Sequence, residues 1–335
     1  MIVEDTTTLT PMIFRIVILI SLACFVRAWT NKEVEDFKGF MKKYDFRFNS
    51  ETEEFDRRMK IFEDNLKAID DIKGKGYGGQ YGINKFSAMA PEEFQRMLIP
   101  ITFDPKEHED KIPKVKPDRR PRQKRQNIPD SFDYRDYGWV SPVKNQGSCG
   151  SCWAFTAAAL FESNYLIYGG YDMDFSEQCL VDCNTKNFGC NGGWLNYAID
   201  YIQDYGLVLE ANYPYVGTQS NGTCLTGCQA TFKNMDYWLI ESEADIPYYI
   251  YHFGPVGFYF AVPSAFQYYT GGVFDVDYCN NTVGLHEVTI VGYTPDYWIV
   301  KNSWGTYWGD QGYVYYKRDK NLCRIETQLI ATSIA

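Results

Sequence analysis

The sequence predicts an α+β fold in which a helix-rich subdomain is followed by a strand-rich one, with a separate helical module ahead of both. Three patterns carry that expectation. After Ser151-Cys152-Trp153 the apolar residues Ala154, Phe155, Ala158, Leu160 and Phe161 mark a long helix that stops at Gly169-Gly170. From about Ile246 onward, β-forming residues cluster at 256–262, 288–293, 297–300 and 313–317, separated by Gly and Pro turns. Between positions 33 and 73 apolar residues recur at helical spacing among charges. With 335 residues, 45% of them hydrophobic, the chain can fill more than one core. Its segments are then 1–28, a leader; 29–98, the helical module; 99–126, a linker; and 127–335, the two-subdomain body.

The leader has Met12-Ile13-Phe14-Arg15, an apolar run over 16–26, and Val26-Arg27-Ala28 with small residues suited to cleavage before Trp29. That run is far short of the roughly 20 apolar residues needed to cross a bilayer, so no stable membrane anchor is expected. Glu4 and Asp5 are odd in a signal, and initiation at Met12 would remove them. The chain is thus expected in the secretory pathway, bound for a lysosome or the exterior.

In the helical module, Phe37, Phe40, Met41 and Tyr44 mark one helix and Ile61, Phe62, Leu66 and Ile69 a second, ended by Gly74 to Gly79. Positions 81–86 alternate like a strand, and Pro91-Glu92-Glu93-Phe94 opens a short helix with proline and acids in its first turn. From Pro105 to Gln126 the chain is polar, basic and proline-dotted, an exposed linker open to proteases. Arg122-Gln123-Lys124-Arg125 fits furin-like processing, which predicts a mature chain starting near Gln126.

A net charge of −10 and a pI of 4.9 argue against a nucleic-acid or anionic-membrane binder, since phosphate attraction needs the opposite sign. Aromatic runs such as Pro247-Tyr248-Tyr249-Ile250-Tyr251 read as strand and interface packing. Of 10 cysteines, Cys24 leaves with the leader. The other nine are an odd set in an oxidising compartment, so one stays unpaired.

Cys152 is singled out by its place at the predicted start of the long helix, where the helix dipole favours a thiolate. A thiolate nucleophile needs an imidazole, and the sequence has 3 histidines. His108 lies in the linker, and His252 stands in an aromatic run without polar company. His286 opens the predicted strand Glu287-Val288-Thr289-Ile290-Val291, and Asn302 follows the next strand in Lys301-Asn302-Ser303-Trp304-Gly305. Neighbouring strands can bring the two together, with Asn302 orienting the ring and Trp304 shielding their bond.

Gln146-Gly147-Ser148-Cys149-Gly150-Ser151-Cys152-Trp153 resembles the nucleophile motif of papain-like cysteine proteases. His286 and Asn302 follow Cys152 by 134 and 150 residues, within the spacing of about 130–150 given for that family. The resemblance implies a papain-like two-subdomain fold, helical and β-barrel-like halves with the active-site cleft between them. It implies a cysteine endopeptidase acting through a thioester, with Cys152 as nucleophile, His286 as base and acid, Asn302 orienting it, and Gln146 as oxyanion donor. No metal and no organic cofactor is called for. The family pattern pairs Cys149 with Cys190, Cys183 with Cys224 and Cys279 with Cys323; Cys179 and Cys228 are left over and form a further expected bridge. Gly192 and Gly193 resemble the strip that pairs with substrate backbone, and by motif position Trp194, Leu195, Tyr259, Leu285 and Gln328 border the main side-chain pocket, with Trp304 nearby. That implies a preference for a hydrophobic residue there. An open cleft without the paired-histidine loop of cathepsin B-like enzymes implies endopeptidase action.

The likeness extends to the precursor. Glu54, Arg58, Phe62, Asn65 and Ile69 match the helix signature of cathepsin L-like inhibitory propeptides, with Lys73 in place of the final Asn. Gly82, Asn84 and Phe86 match the companion motif, but Ala88 stands where it has an acid, which questions an acid trigger built on that carboxylate. Glu287 also departs, since a small apolar residue usually follows the catalytic histidine; it is expected to face outward on its strand, with a perturbed His286 as the other reading. Asn221 and Asn280 head glycosylation sequons. The expected partners are polypeptide substrates and the chain's own propeptide, the enzyme being a monomer. A catalytically silent binding protein and a free-standing propeptide-type inhibitor are the rival readings; the retained site residues and the full downstream half argue against them.

Overall fold

The computed structural model describes residues 29–103, 111–114, 128–219, 224, 228, 232–233, 235–240, 243–276, 279, 281–318, 320, 322–324 and 329–334. The leader, the Arg122–Arg125 site, Asn221, Asn280 and Gln328 lie outside the described residues.

The helical module begins with α1 (Asn31–Lys43), whose Thr30 accepts from the Glu33 amide while the Glu33 carboxylate accepts from the Thr30 amide, a reciprocal cap. α2 (Glu53–Gly74) buries Phe55, Met59, Phe62, Asn65, Ile69 and Ile72, one stripe at helical spacing. Phe37 of α1 sits between Phe55 and Phe62, at 5.2 and 5.4 Å between ring centres. The expected strand over 81–86 forms earlier, as β1 (Gly78–Tyr81). The following residues turn instead because Asn84 Oδ1 accepts from the Phe86 amide, while its Nδ2 donates to Gln267 O at 2.8 Å. The short helix α3 (Pro91–Gln95) completes the module.

The helical half of the body contains α4 (Cys152–Gly169), α5 (Glu177–Cys183) and α6 (Leu195–Tyr205). α4 is buried all round from Cys152 to Asn164, as befits a helix with apolar residues on every face. It ends at Gly170, whose φ of 67° suits glycine. The strand-rich half contains β2 (Phe132–Asp133), β3 (Met235–Ile240), β4 (Val256–Pro263), β5 (Tyr269–Asp275), β6 (Thr282–Tyr293), β7 (Tyr297–Lys301), β8 (Tyr313–Lys317) and β9 (Leu329–Ile334). Strand order is β1-β5-β8-β7-β6-β4-β9-β3, with β2 paired to β6, so β1 of the helical module is added to one end of the body's sheet. The aromatic run expected as strand is a helix, α7 (Ile246–Phe253): Pro247 in its first turn starts it, and Ile246, Tyr249 and Ile250 bury one side.

The body has two cores, one built on α4, α5 and α6 and the other on the sheet, where Phe86, Phe94, Met97 and Leu98 of the helical module join it; a smaller cluster about Phe37, Phe55 and Phe62 holds the module itself. The seam of the two body cores runs between the first residue of α4 and the middle of β6.

Candidate active site

Among the described cysteines the sulfurs are bonded as Cys149–Cys190, Cys179–Cys228, Cys183–Cys224 and Cys279–Cys323, and Cys152 is free. Gly150 makes room for the Cys149 link: its amide donates to Cys190 O at 2.9 Å, and a Cβ there would lie 2.5 Å from that oxygen. The turn thereby delivers Cys152 as the first residue of α4.

β6 runs against that helix end. The Glu287 amide lies against the Cys152 sulfur, which places the preceding residue, His286, beside the same helix start. His286 Nε2 donates to Asn302 Oδ1 at 2.7 Å, and Trp304 stacks on the imidazole at 4.4 Å between ring centres. The bond leaves Nδ1 as the unprotonated nitrogen of the neutral ring, and no described group bonds to it. Asn302 Oδ1 also accepts from the Ser303 amide at 2.7 Å. Gln146 is set by a neighbour the sequence reading did not single out: Ser303 Oγ donates to its Oε1 at 2.7 Å. Its Nε2 is thereby turned toward Cys149 O and toward Met97 O of the helical module, each at 2.8 Å.

The segment after α3 fills the seam. Ile99 and Leu285 exchange both backbone hydrogen bonds at 2.8 Å, and Ile99, Cys152 and Leu285 form a buried cluster with Phe103 beside it. Gly192, at φ 108°, lets the chain come close; a Cβ there would be 3.1 Å from Ile99 Cγ2. Gly193 backs onto Asn187 and Trp153 rather than the propeptide. Trp194 touches Tyr259 at 5.5 Å and Phe103 at 5.5 Å between ring centres, and the Leu195 side chain lies over Gly257 of β4. Lys85 Nζ spans to Trp304 O at 2.8 Å and Asn145 Oδ1 at 3.1 Å, and its burial lowers its pKa to about 8.

Burial decides the charges. It raises the Cys152 thiol, and the Glu287 carboxylate adds to that, against backbone amides that favour the anion. It lowers His286 to about 4, with the Asn302 bond working the other way. With the segment after α3 in place, burial favours the neutral form of both the thiol and the imidazole. Glu287 does not face outward as expected. Its strand position, opposite Tyr259, turns it into the seam, where it is 1% exposed and has only the Leu195 backbone amide close enough to favour its charged form. Burial raises its pKa well above the usual carboxylate range.

Behind the site, Lys144 binds Glu162, Asp174 and Glu177 at 2.7–2.8 Å, and Lys301 Nζ donates to Ser141 Oγ at 2.8 Å. A cavity of about 20 Å³, space for one water, lies among these groups and Glu287. The place of the missing propeptide acid is closed differently: Arg58 donates to Ala88 O at 2.9 Å and pairs with Glu93 and Glu54. Burial works to raise Glu93, but Arg58 and the Ala90 amide outweigh it and hold it low.

A sequence model of papain family cysteine proteases matches residues 128–333, and one of the cathepsin propeptide inhibitor domain matches residues 37–94. Papain of Carica papaya is 36% identical over 86% of this chain and 82% of its own length. The structure of digestive procathepsin L2 proteinase from the Tenebrio molitor larval midgut superposes with a TM-score of 0.79 at 33% identity, covering 90% of this chain and 100% of that one. The bromelain protease of Ananas comosus, solved with a bound inhibitor, covers 62% of this chain and 100% of its own at 36% identity and a TM-score of 0.57.

Proposed function

Because the chain belongs to the papain family of cysteine proteases and carries a propeptide inhibitor domain, so that it is a peptide hydrolase in zymogen form, we propose the chemistry of its site as follows. Cys152 is the nucleophile, and its thiolate attacks the peptide carbonyl. His286 gives its proton to the leaving amine, then acts as base while water hydrolyses the thioester. Asn302 holds the ring with Nε2 protonated, so that Nδ1 is the nitrogen that exchanges a proton with the sulfur. Gln146 Nε2 and the Cys152 amide stabilise the oxyanion. The observation that carries this reading is a free thiol that opens α4 against the strand residue following His286, whose imidazole Asn302 holds at 2.7 Å.

The inhibited state follows from the same contacts. Met97 O takes the Gln146 donor, Ile99 takes the Leu285 backbone, and dry burial favours the neutral thiol and imidazole. Cleavage within 122–125 releases the segment, water enters, and the thiolate–imidazolium pair forms. The open cleft favours endopeptidase action on extended polypeptides, with Gly192 and Gly193 along the backbone path and Trp194, Leu195, Tyr259, Leu285 and Gln328 about the main pocket. We place the enzyme, a monomer without a membrane anchor, on the secretory route to a lysosome or the exterior.

A thiol-reactive epoxide peptide tests the assignment. After propeptide removal it is expected to label Cys152 one-to-one and abolish peptide hydrolysis, and to fail with His286→Ala. An unlabelled, inert processed chain would instead favour the catalytically silent reading.

A further inference from the structure

The linker is not wholly exposed, and where it is held defines a second surface on the peptidase. β3 ends the sheet and pairs on one side with β9. A bare outer edge would offer unpaired N–H and C=O groups to any extended chain. In the precursor residues 111–114 lie along it: the Leu239 amide donates to Pro113 O at 2.8 Å, and Lys114 aligns in parallel with Leu239. Proline fits this position because it needs only to accept. Ile112 is 6% exposed, sunk in the apolar cluster that holds Ile202, Tyr237 and Leu239. Lys111 Nζ donates to Tyr197 Oη at 2.9 Å. A groove of about 260 Å³ continues beside the linker, lined by Pro113, Lys114, Asp200, Gln203, Asp236 and Tyr237.

Each part of this contact has a separable recognition role. The strand edge binds main chain of any sequence, the slot under Ile112 selects an apolar side chain, and Asp236 on the groove wall favours basic flanks, Asp200 beside it being bonded to Lys186 and Tyr237. None of these groups belongs to the cleft, and all except the linker remain after processing. We propose that the outer edge of β3 with its Ile112 slot and acidic rim is an exosite of the mature protease, binding extended polypeptide segments in which a branched apolar residue precedes proline between lysines. The linker is its occupant in the precursor. Substrates carrying such a segment are tethered to the enzyme outside the cleft, which raises their effective concentration at Cys152. The inference rests on the zymogen reading, since only removal of the linker vacates the edge.

The test uses the processed chain with Cys152 blocked by iodoacetamide and a fluorescent peptide copying residues 108–118. Fluorescence anisotropy is expected to show saturable binding, weakened about tenfold or more by Ile112→Asp in the peptide, since a buried apolar side chain becomes charged. Asp236→Asn in the enzyme should weaken it two- to threefold and reduce its salt dependence, and the unprocessed precursor should not bind. Equal binding of the Ile112→Asp peptide, or no saturable binding by the blocked enzyme, overturns the exosite. The alkylation step itself reports on the zymogen reading: a processed chain that binds the peptide but cannot be alkylated at Cys152 refutes the nucleophile assignment and leaves the exosite standing.

Discussion

Glu287 is the residue on which electrostatics and sequence pattern part company. A carboxyl next to a catalytic histidine looks harmless if its strand face meets water, but this face meets the start of α4. While protonated it puts no charge on Cys152; once ionised it opposes the thiolate. Its raised pKa makes the first state persist to higher pH than an ordinary carboxylate would, and the second emerge as pH rises past that point. In the matured enzyme Glu287→Gln is therefore expected to raise the rate of Cys152 alkylation by roughly tenfold, about one pKa unit, at pH values where Glu287 is ionised, with little change where it is protonated. Superimposable pH–rate profiles for the two proteins would reject that coupling. Gln146 is the companion case, since Ser303 fixes which end of its amide faces the cleft. Gln146→Ala should lower kcat about 100-fold with a small change in KM, as measured with a peptide substrate; a loss confined to KM would show that it binds ground-state substrate instead.

At the scale of elements, the inhibitor module is held together by what replaces an expected acid. α2 and α3 meet through Arg58, which joins Glu54, Glu93 and the Ala88 carbonyl. Glu54, lowered to about 2 by its bonds to Arg57 and Arg58, and Glu93, also held low, are carboxylates that acid must protonate before this junction loosens. The pair that acid must titrate to loosen the module is thus Glu54 and Glu93, in place of a carboxylate at position 88. Glu93→Gln should cost the junction about 1–2 kcal/mol, since it is part-buried and part-screened. The precursor should then expose Cys152 to alkylation several-fold faster at pH 7, while unchanged alkylation and unchanged acid processing would remove Glu93 from control. The same scale shows where pattern reading failed: 81–86 has strand alternation, but Asn84 bonds its own turn, and 247–251 has strand-like aromatics, but Pro247 starts a helix.

Across the whole molecule, propeptide residues are built into the sheet core of the peptidase and into its sheet, so stability and inhibition depend on pH together. His286, with a pKa of about 4 here against an ordinary 6.5, binds fewer protons folded than unfolded; its contribution is full above pH 6.5 and is lost as pH falls toward 4. Glu54 has the same sign, full above 4.5 and lost toward 2, while Glu287 opposes them with a contribution lost as pH rises through its raised pKa. The precursor's Tm, measured by calorimetry on Cys152→Ala to prevent self-cleavage, should fall steadily from pH 6.5 to 4. A flat or rising Tm would show that other groups dominate. The sequence alone determined the α+β class, the long helix behind Cys152, four peptidase strands, the helical inhibitor and the family, because these rest on local periodicity and on short contiguous motifs. Only the tertiary structure decided that Glu287 points inward, that Met97 O covers Gln146, that Arg58 closes the gap at Ala88, and that Ile112 is buried against β3. Each of those depends on which distant element covers a given face, and a one-dimensional pattern of polar and apolar residues holds no record of that.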